Sequence, residues 1–154
     1  MPLSELISPN AVIPALKVNG KKPALQELSA RAASLSGLVE REVFDALLQR
    51  ERLGSTGVGE GVAIPHGKLA KCGRIFGVFA RLERPIDFES ADGLPVDLIF
   101  LLIAPENAGA DHLTALAQTA RMLRGPALLA QLRATRDASG LYSLLTMSPT
   151  SNAA

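Results

Sequence analysis

The spacing of apolar and polar residues divides the chain into helices near both ends and strands in the middle. A short extended segment around Val12–Val18 contains Pro14 and ends at Asn19-Gly20. A helix is predicted next, because Pro23 suits its first turn and apolar residues recur at helical spacing. Its apolar stripe comprises Leu25, Leu28, Ala32 and Leu35.

A second helix is predicted from about Val39 to Arg52, with Gly54 where a C-terminal cap is expected. Its buried face comprises Val43, Phe44, Leu47 and Leu48. Three more helices are predicted at about 110–123, 126–134 and 137–146. The first of these directs Leu113, Leu116, Ala117, Ala120 and Leu123 inward.

The middle of the chain has the composition of strands. Val62–Ile64 is a short apolar strand closed by Pro65, and Arg74–Leu82 is rich in β-forming residues. Val96–Ala104 is almost wholly apolar, which is typical of a central strand covered on both faces. This order of elements predicts a single α/β domain with a mixed β-sheet flanked by helices on both faces. The domain is expected to cover residues 1–147, followed by a flexible tail at 148–154, and the periodicity leaves the strand order open.

Composition excludes several classes of protein. The 154 residues are 47% apolar and 20% charged, which is typical of a folded domain. The 16 basic and 15 acidic residues give no overall charge for binding nucleic acid or an anionic membrane. The single cysteine, Cys72, excludes an internal disulfide and a cysteine-rich zinc site. No signal peptide is recognisable, and the longest apolar run, Leu98–Ala104, is too short to cross a bilayer. A cytoplasmic protein without membrane insertion is therefore expected.

Candidate chemistry is concentrated in the glycine-rich segment between the second helix and a histidine, RERLGSTGVGEGVAIPHGK at residues 50–68. Glycines allow backbone N–H groups to approach an anion closely. The segment departs from the Walker A motif because Glu60 stands where lysine is required. It also lacks the strand that precedes a dinucleotide-binding fingerprint.

His66 is the strongest candidate nucleophile in this segment. A neutral imidazole offers a lone pair at cellular pH without an activating base, and phosphoryl transfer needs little beyond positioning and charge stabilisation. The alternative is a histidine that merely ends a strand, and the local pattern alone does not separate the two.

The residues around His66 each have a functional and a structural interpretation. His112, at the start of the third helix, is either a phosphate ligand or an exposed first-turn histidine. Arg50 either binds phosphate or simply favours the helix C-terminus, which is the preferred account of Arg52. Ser55 and Thr56 either donate hydroxyls to phosphate or stabilise a turn, and Gly57 belongs to the same candidate nest of N–H groups. A two-histidine metal site lacks a third ligand, so no metal or other cofactor is expected.

The 50–68 segment closely resembles the signature of type-2 enzyme IIA domains of the bacterial phosphoenolpyruvate-dependent phosphotransferase system, in its mannitol/fructose/nitrogen class. The resemblance extends over nearly the whole chain, including FES at 88–90, PVDL at 95–98 and DHL at 111–113. It implies the mannitol-type IIA fold, phosphorylation of His66, and roles for Arg50 and His112 in holding the phosphoryl group. It also implies a phosphohistidine donor, HPr or its nitrogen-branch counterpart NPr.

The opening of the chain and its length look most like the nitrogen-regulatory IIA branch, whose members regulate partners according to their phosphorylation state. Family partners include potassium-transport systems, sensor kinases and stringent-response enzymes. The alternative is a sugar-specific fructose or mannitol IIA component that passes phosphate to a IIB domain. An unrelated anion-binding protein is a third hypothesis. The phosphorylated imidazole nitrogen, the regulated partners and the oligomeric state are left open.

Overall fold

The computed structural model describes residues 3–147, so the predicted tail at 148–154 lies outside the described residues. Within that range, the strands are Val12–Leu16 (β1), Gly57–Gly59 (β2), Val62–Ala63 (β3), His66–Leu69 (β4), Phe76–Ile86 (β5) and Val96–Pro105 (β6). The helices are Lys21–Ser36 (α1), Glu40–Arg52 (α2), Ala110–Met122 (α3), Pro126–Ala134 (α4) and Ala138–Thr146 (α5). The predicted helices and the three main strands are all present, with ends that differ by a few residues.

The strands form one mixed sheet in the order β1-β5-β6-β3-β2. Strand β6 is antiparallel to β5 and parallel to both β3 and β4. Val62 pairs with Leu98 and His66 with Leu102, so β3 and β4 lie in one continuous register along the same edge of β6. The predicted mixed α/β architecture is confirmed.

Strand β6 is the centre of the molecule. Its segment Leu98–Ala104 is fully buried, which means that both faces of the strand are covered. Helix α1 packs on β5 and α2 on β4, while α3 packs on β6 and α5 on β1. None of the helices between residues 3 and 147 is both long and apolar enough to span a membrane.

Proline at two positions suits the elements that contain it. Pro14 lies in β1, an edge strand, where a missing N–H leaves no gap in the sheet. Pro23 lies in the first turn of α1, where the N–H groups have no partner within the helix. Helix α1 ends at Gly37, whose φ of 80° is left-handed and whose N–H donates to the Ala33 carbonyl.

Two predicted apolar faces were partly wrong. Helix α3 turns His112, Ala115 and Thr119 toward the core, whereas Leu113 is 67% exposed and Ala117 is also exposed. Leucine and alanine occur on both sides of this helix, so its apolar spacing is compatible with either side facing the core. In the structure, the side that carries His112 is the buried one. In α1, Leu35 is 36% exposed because it lies in the last turn, at the margin of the core.

His66 does not end the strand that begins at Val62. Strand β3 stops at Ala63, and His66 is instead the first residue of β4. Ile64 and Pro65 interrupt the strand without leaving the sheet, because the Pro65 carbonyl still accepts a hydrogen bond of 2.9 Å from the Leu102 N–H.

Candidate functional site

The glycine-rich segment makes a tight turn between β2 and β3 that two polar side chains hold in place. Gly59, Glu60 and Gly61 all have positive φ, at 101°, 59° and 80°. The Glu60 N–H donates to Asp92 at 2.9 Å, and its carbonyl accepts from Arg133 at 2.7 Å. The turn is therefore fixed on both sides, and it directs the chain into β3 toward His66.

His66 has its two ring nitrogens in opposite roles. Its Nδ1 lies 2.9 Å from the Ile64 carbonyl oxygen, which accepts only, so Nδ1 carries the proton. Its Nε2 accepts a 3.3 Å hydrogen bond from Nε of Arg50. Both contacts select the same neutral tautomer, with the proton on Nδ1 and the unprotonated lone pair on Nε2. The His66 residue as a whole is only partly buried.

Arg50 reaches His66 from the last turn of α2. Its Nη1 donates to the Gly54 carbonyl at 2.9 Å, which anchors the guanidinium while Nε points at the imidazole. Arg52, two residues further on, is exposed. The sequence-based distinction between these two arginines agrees with their placement.

His112 lies beside His66, with ring centroids 5.6 Å apart and planes inclined by 60°. The interpretation of His112 as an exposed first-turn residue is wrong, because only 5% of its surface is accessible. Its Nε2 is buried and has no hydrogen-bond partner within residues 3–147. An unpaired buried polar atom is unfavourable unless a ligand satisfies it, so this nitrogen marks a position for a transient acceptor or donor.

Both histidines are held neutral near pH 7. Burial lowers the pKa of His66; the Arg50 guanidinium lowers it further, while the Ile64 carbonyl and the Glu51 carboxylate oppose the shift. Burial also lowers the pKa of His112, with smaller contributions from His66 and Lys68. A neutral His66 retains the lone pair that a nucleophile needs.

Ser55, Thr56 and Gly57 lie in the same loop, but their polar groups already have partners. The Ser55 hydroxyl donates to the Phe88 carbonyl at 2.6 Å and accepts from the Gly57 N–H at 3.0 Å. The Thr56 hydroxyl donates to the Glu51 carboxylate. Binding of phosphate by these three residues stays a prediction, and it would require these contacts to be given up.

Glu51 is a residue of the site that sequence reasoning missed. Its carboxylate is almost completely buried and accepts from the Thr56 N–H at 3.1 Å and from Nζ of Lys21 at 2.9 Å. A glutamate in the last turn of a helix has the wrong sign for the helix dipole, which was the one available signal that it serves a tertiary contact.

The single cysteine and the metal-ligating residue types add no further candidate within residues 3–147. Cys72 is buried, its thiol donates to the Arg74 carbonyl, and burial raises its pKa, so it is not an activated nucleophile. In residues 3–147, no three histidine, cysteine, aspartate or glutamate side chains are grouped closely enough to hold a metal ion.

A half-open groove of about 880 Å³ also lies away from the histidines. It is lined mainly by residues 4–9 and Ala11, by the end of α1 and by residues 71–77. None of His66, His112 and Arg50 lines it. We therefore place the candidate site at the histidine pair, where a nucleophilic nitrogen, a guanidinium and an unpaired buried imidazole converge.

Comparison with known proteins gives a consistent family. The family model of the phosphoenolpyruvate-dependent sugar phosphotransferase system, EIIA 2, matches residues 5–147. A nitrogen regulatory protein of Bradyrhizobium diazoefficiens is 64% identical over 149 residues, which cover 97% of this chain and 97% of that protein.

Solved structures of similar fold agree with this family. The crystal structure of the nitrogen regulatory protein IIA-Ntr from Neisseria meningitidis is similar at a TM-score of 0.88 and 36% identity, covering 92% of this chain and 97% of that one. The IIA mannitol structure from Escherichia coli is similar at a TM-score of 0.75 and 23% identity, covering 90% and 97%. At that lower identity the similarity concerns the fold alone, and it confirms the predicted mannitol-type IIA fold.

Proposed function

The chain belongs to the EIIA 2 family of the phosphoenolpyruvate-dependent sugar phosphotransferase system, and we propose that it is a nitrogen-branch phosphocarrier acting in the cytoplasm. A phosphohistidine carrier, NPr or HPr, donates a phosphoryl group to His66, and the phosphorylation state then regulates partner proteins. The observation that carries the proposal is the Nε2 lone pair of His66, which is directed toward Arg50, on a ring that lies beside His112, whose buried Nε2 has no partner within residues 3–147.

Nε2 of His66 is the attacking atom in this mechanism. Its lone pair forms the new N–P bond while the P–N bond of the donor breaks, and that electron pair returns to the donor imidazole. Nδ1 keeps its proton on the Ile64 carbonyl throughout, which holds the ring in the reactive tautomer. No base is needed, because Nε2 carries no proton to remove.

Arg50 changes partner during the transfer. In the unphosphorylated protein its Nε–H occupies the Nε2 lone pair through a long, weak contact of 3.3 Å. An approaching phosphorus displaces that contact, and the guanidinium then donates to the phosphoryl oxygens, whose negative charge it stabilises. His112 supplies a second contact at its buried Nε2, protected from competing water.

Regulation follows from the position of the phosphoryl group. Phosphate adds roughly two negative charges to a partly buried ring. Leu53, the residue after α2, and Leu113, on α3, are exposed and lie within three residues of Arg50 and His112 in the chain, so they offer apolar surface to a partner. A partner that binds this surface in one state is disfavoured in the other. The 64% identity with a nitrogen regulatory protein supports this role over transfer to a sugar IIB domain.

The direct test is phosphorylation from phosphoenolpyruvate with enzyme I and each carrier, followed by intact-mass analysis. Wild type should gain one phosphoryl group that is labile in acid and stable in base. His66→Ala should gain none. His112→Gln should still be labelled, though slowly, which makes the second histidine a matched control. Phosphate retained by His66→Ala, or acid-stable phosphate on Ser55 or Thr56, would contradict the proposal.

A second assay separates regulation from transport. Phosphorylated and unphosphorylated wild type are compared for capture of partner proteins and for phosphate transfer to a fructose or mannitol IIB domain. State-dependent capture without efficient transfer is expected. Efficient charging of IIB together with identical capture in both states would assign the protein to sugar transport instead.

A further inference from the structure

Glu51 joins three parts of the structure through one buried carboxylate. It lies in the last turn of α2, beside Arg50, and its side chain is only 3% exposed. Lys21, at the start of α1, donates to it from one side. The N–H and hydroxyl of Thr56 donate to it from the glycine-rich loop. A buried carboxylate with three donors is a strongly constrained group.

A chain of hydrogen bonds runs from Glu51 to the reactive histidine. Thr56, held by the carboxylate, uses its carbonyl to accept from the Ile64 N–H at 3.0 Å. The Ile64 carbonyl in turn accepts from Nδ1 of His66 at 2.9 Å. The position of the atom that fixes the His66 tautomer therefore depends on the contact between Glu51 and Thr56.

The contact between Glu51 and Thr56 also affects the position of Arg50. The guanidinium is anchored on the Gly54 carbonyl, two residues before Thr56 in the loop. Because Glu51 and Arg50 are adjacent on α2, the carboxylate holds the loop against the helix end that carries the arginine. Both neighbours of the His66 ring are thus attached to the segment that Glu51 fixes.

We propose that Glu51, paired with Lys21, is a positioning residue for phosphoryl transfer, which aims Arg50 and the Ile64 carbonyl at the two nitrogens of His66. This inference rests on the proposed function, since the reaction that it serves is transfer to Nε2. Glu51 touches neither the phosphoryl group nor His66.

The charges and hydrogen bonds around His66 set the pH at which its ring titrates. Arg50 and Glu51 on α2 and His112 on α3 surround the ring, and Lys68 acts on His112. The Glu51 carboxylate and the Ile64 carbonyl both raise the pKa of His66. Loss of either contribution should therefore lower the pH at which the ring titrates.

The experiment compares Glu51→Gln with Glu89→Gln. Glu89 is the other carboxylate on Lys21, at 3.4 Å, but its side chain is 75% exposed and its carboxylate makes no contact with Thr56. Glu51→Gln should lower kcat for phosphorylation by about tenfold, equivalent to about 1.4 kcal/mol of barrier, with KM for the carrier little changed. Glu89→Gln should match wild type.

Nitrogen NMR of the His66 ring, measured without any donor, gives a second readout. Glu51→Gln should shift the titration midpoint of His66 to lower pH and reduce the population of the Nδ1-protonated tautomer. If Glu51→Gln does not fold, Thr56→Val tests the same contact, and Thr56→Ser should restore wild-type behaviour because it keeps the hydroxyl.

Failure of this inference is distinct from failure of the proposed function. If wild type is labelled on His66 and a folded Glu51→Gln or Thr56→Val keeps the wild-type kcat and His66 titration, the positioning role is overturned. If wild type itself accepts no phosphate, the proposed function fails, and the tautomer population of His66 in Thr56→Val, which keeps the Glu51 charge, still decides whether the contact between Glu51 and Thr56 positions the ring.

Discussion

The histidine pair shows how single residues divide one task. The Ile64 carbonyl selects the tautomer of His66, and Arg50 donates a hydrogen bond to its lone pair. The neighbouring His112 has a buried Nε2 without a partner within residues 3–147. In the proposed reaction each group has a separate role: His66 is the nucleophile, Arg50 stabilises the phosphoryl charge, and His112 supplies a contact shielded from water. Their effects should therefore be separable by substitution.

Removal of either partner of His66 should slow transfer without unfolding the protein. Arg50→Ala removes a cation from the developing phosphoryl charge. By comparison with a lost oxyanion donor, the transition state should lose about 2–4 kcal/mol of stabilisation, measured as a fall in kcat/KM. His112→Gln should give a smaller loss, since the amide still donates. Stopped-flow or quench-flow phosphorylation kinetics measure both.

Arg52→Ala is the matched control for the arginine. It removes a cation from the same helix end, but Arg52 is exposed, so wild-type kinetics are expected. Equal losses in Arg50→Ala and Arg52→Ala would mean that general charge, and not the aimed guanidinium, accelerates transfer.

At this scale the sequence offered His66, Arg50 and His112 as candidates, but the local pattern left a structural alternative open for each, and only the resemblance to type-2 IIA domains implied their roles. Glu51 was not predicted. A glutamate near a helix end normally lies in solvent, and its burial depends on Lys21, thirty residues away in the chain. A buried ion pair between two elements is a tertiary property, which local spacing does not encode.

At the scale of elements, the turn between β2 and β3 depends on residues with positive φ, a backbone conformation that few residues other than glycine adopt. Gly61 has a φ of 80°, and a Cβ there would lie 2.4 Å from Nη2 of Arg133. That guanidinium is itself held by Asp97 and by the Glu60 carbonyl, so it cannot move away freely. Position 61 therefore requires a positive φ and also leaves no room for a Cβ atom.

Gly61→Ala should destabilise the protein more than Gly37→Ala. Gly37 also has a φ of 80°, but a Cβ there meets nothing within 4 Å. Its substitution should cost only the left-handed strain of about 1–2 kcal/mol. Gly61→Ala should add a steric loss, for a total of about 2–4 kcal/mol. Urea unfolding measures both, and equal losses would show that Arg133 yields without penalty.

Helix α3 shows where element-level prediction stops. Its existence follows from the apolar period, but leucine and alanine on both sides fit two orientations. The structure buries Thr119, whose hydroxyl is satisfied by the Ala115 carbonyl, and leaves Leu113 outside. Only packing against β6 decides between the two, and that decision also places His112 in the site.

At the scale of the whole molecule, the fold class was predictable and the strand order was not. The run at 96–104 is almost wholly apolar, so the strand was expected to be buried on both faces and therefore central. The pairing of β3 and β4 along one edge of β6 involves contacts 36 residues apart and no local signal. This pairing brings the glycine-rich segment to the start of α3.

Burial of two histidines should make the stability of the whole domain depend on pH. Their pKa values are lowered in the folded state, so below pH of about 6.5 the unfolded chain binds more protons than the folded one. The free energy of unfolding should be level above that pH and fall as the pH drops toward the folded values. Denaturation between pH 5 and 8 measures this slope.

The double variant His66→Gln/His112→Gln is the control for that slope. It removes both titrating rings and should flatten the dependence in the same interval. An unchanged slope in the double variant would assign the effect to other groups.

The break between β3 and β4 has a consequence for how the reactive tautomer withstands mutation. Ile64 lies outside both strands, and its carbonyl is the acceptor for Nδ1 of His66. That acceptor belongs to the main chain, so every amino acid at position 64 supplies it, and no exchange of side chain there deletes it. The guanidinium donor of Arg50, in contrast, is lost with any substitution, because no other side chain carries that group. The acceptor for Nδ1 is thus supplied by the backbone whatever residue stands at position 64, and side chains such as Glu51 act only on where that carbonyl lies, whereas a single codon change removes the Arg50 donor altogether.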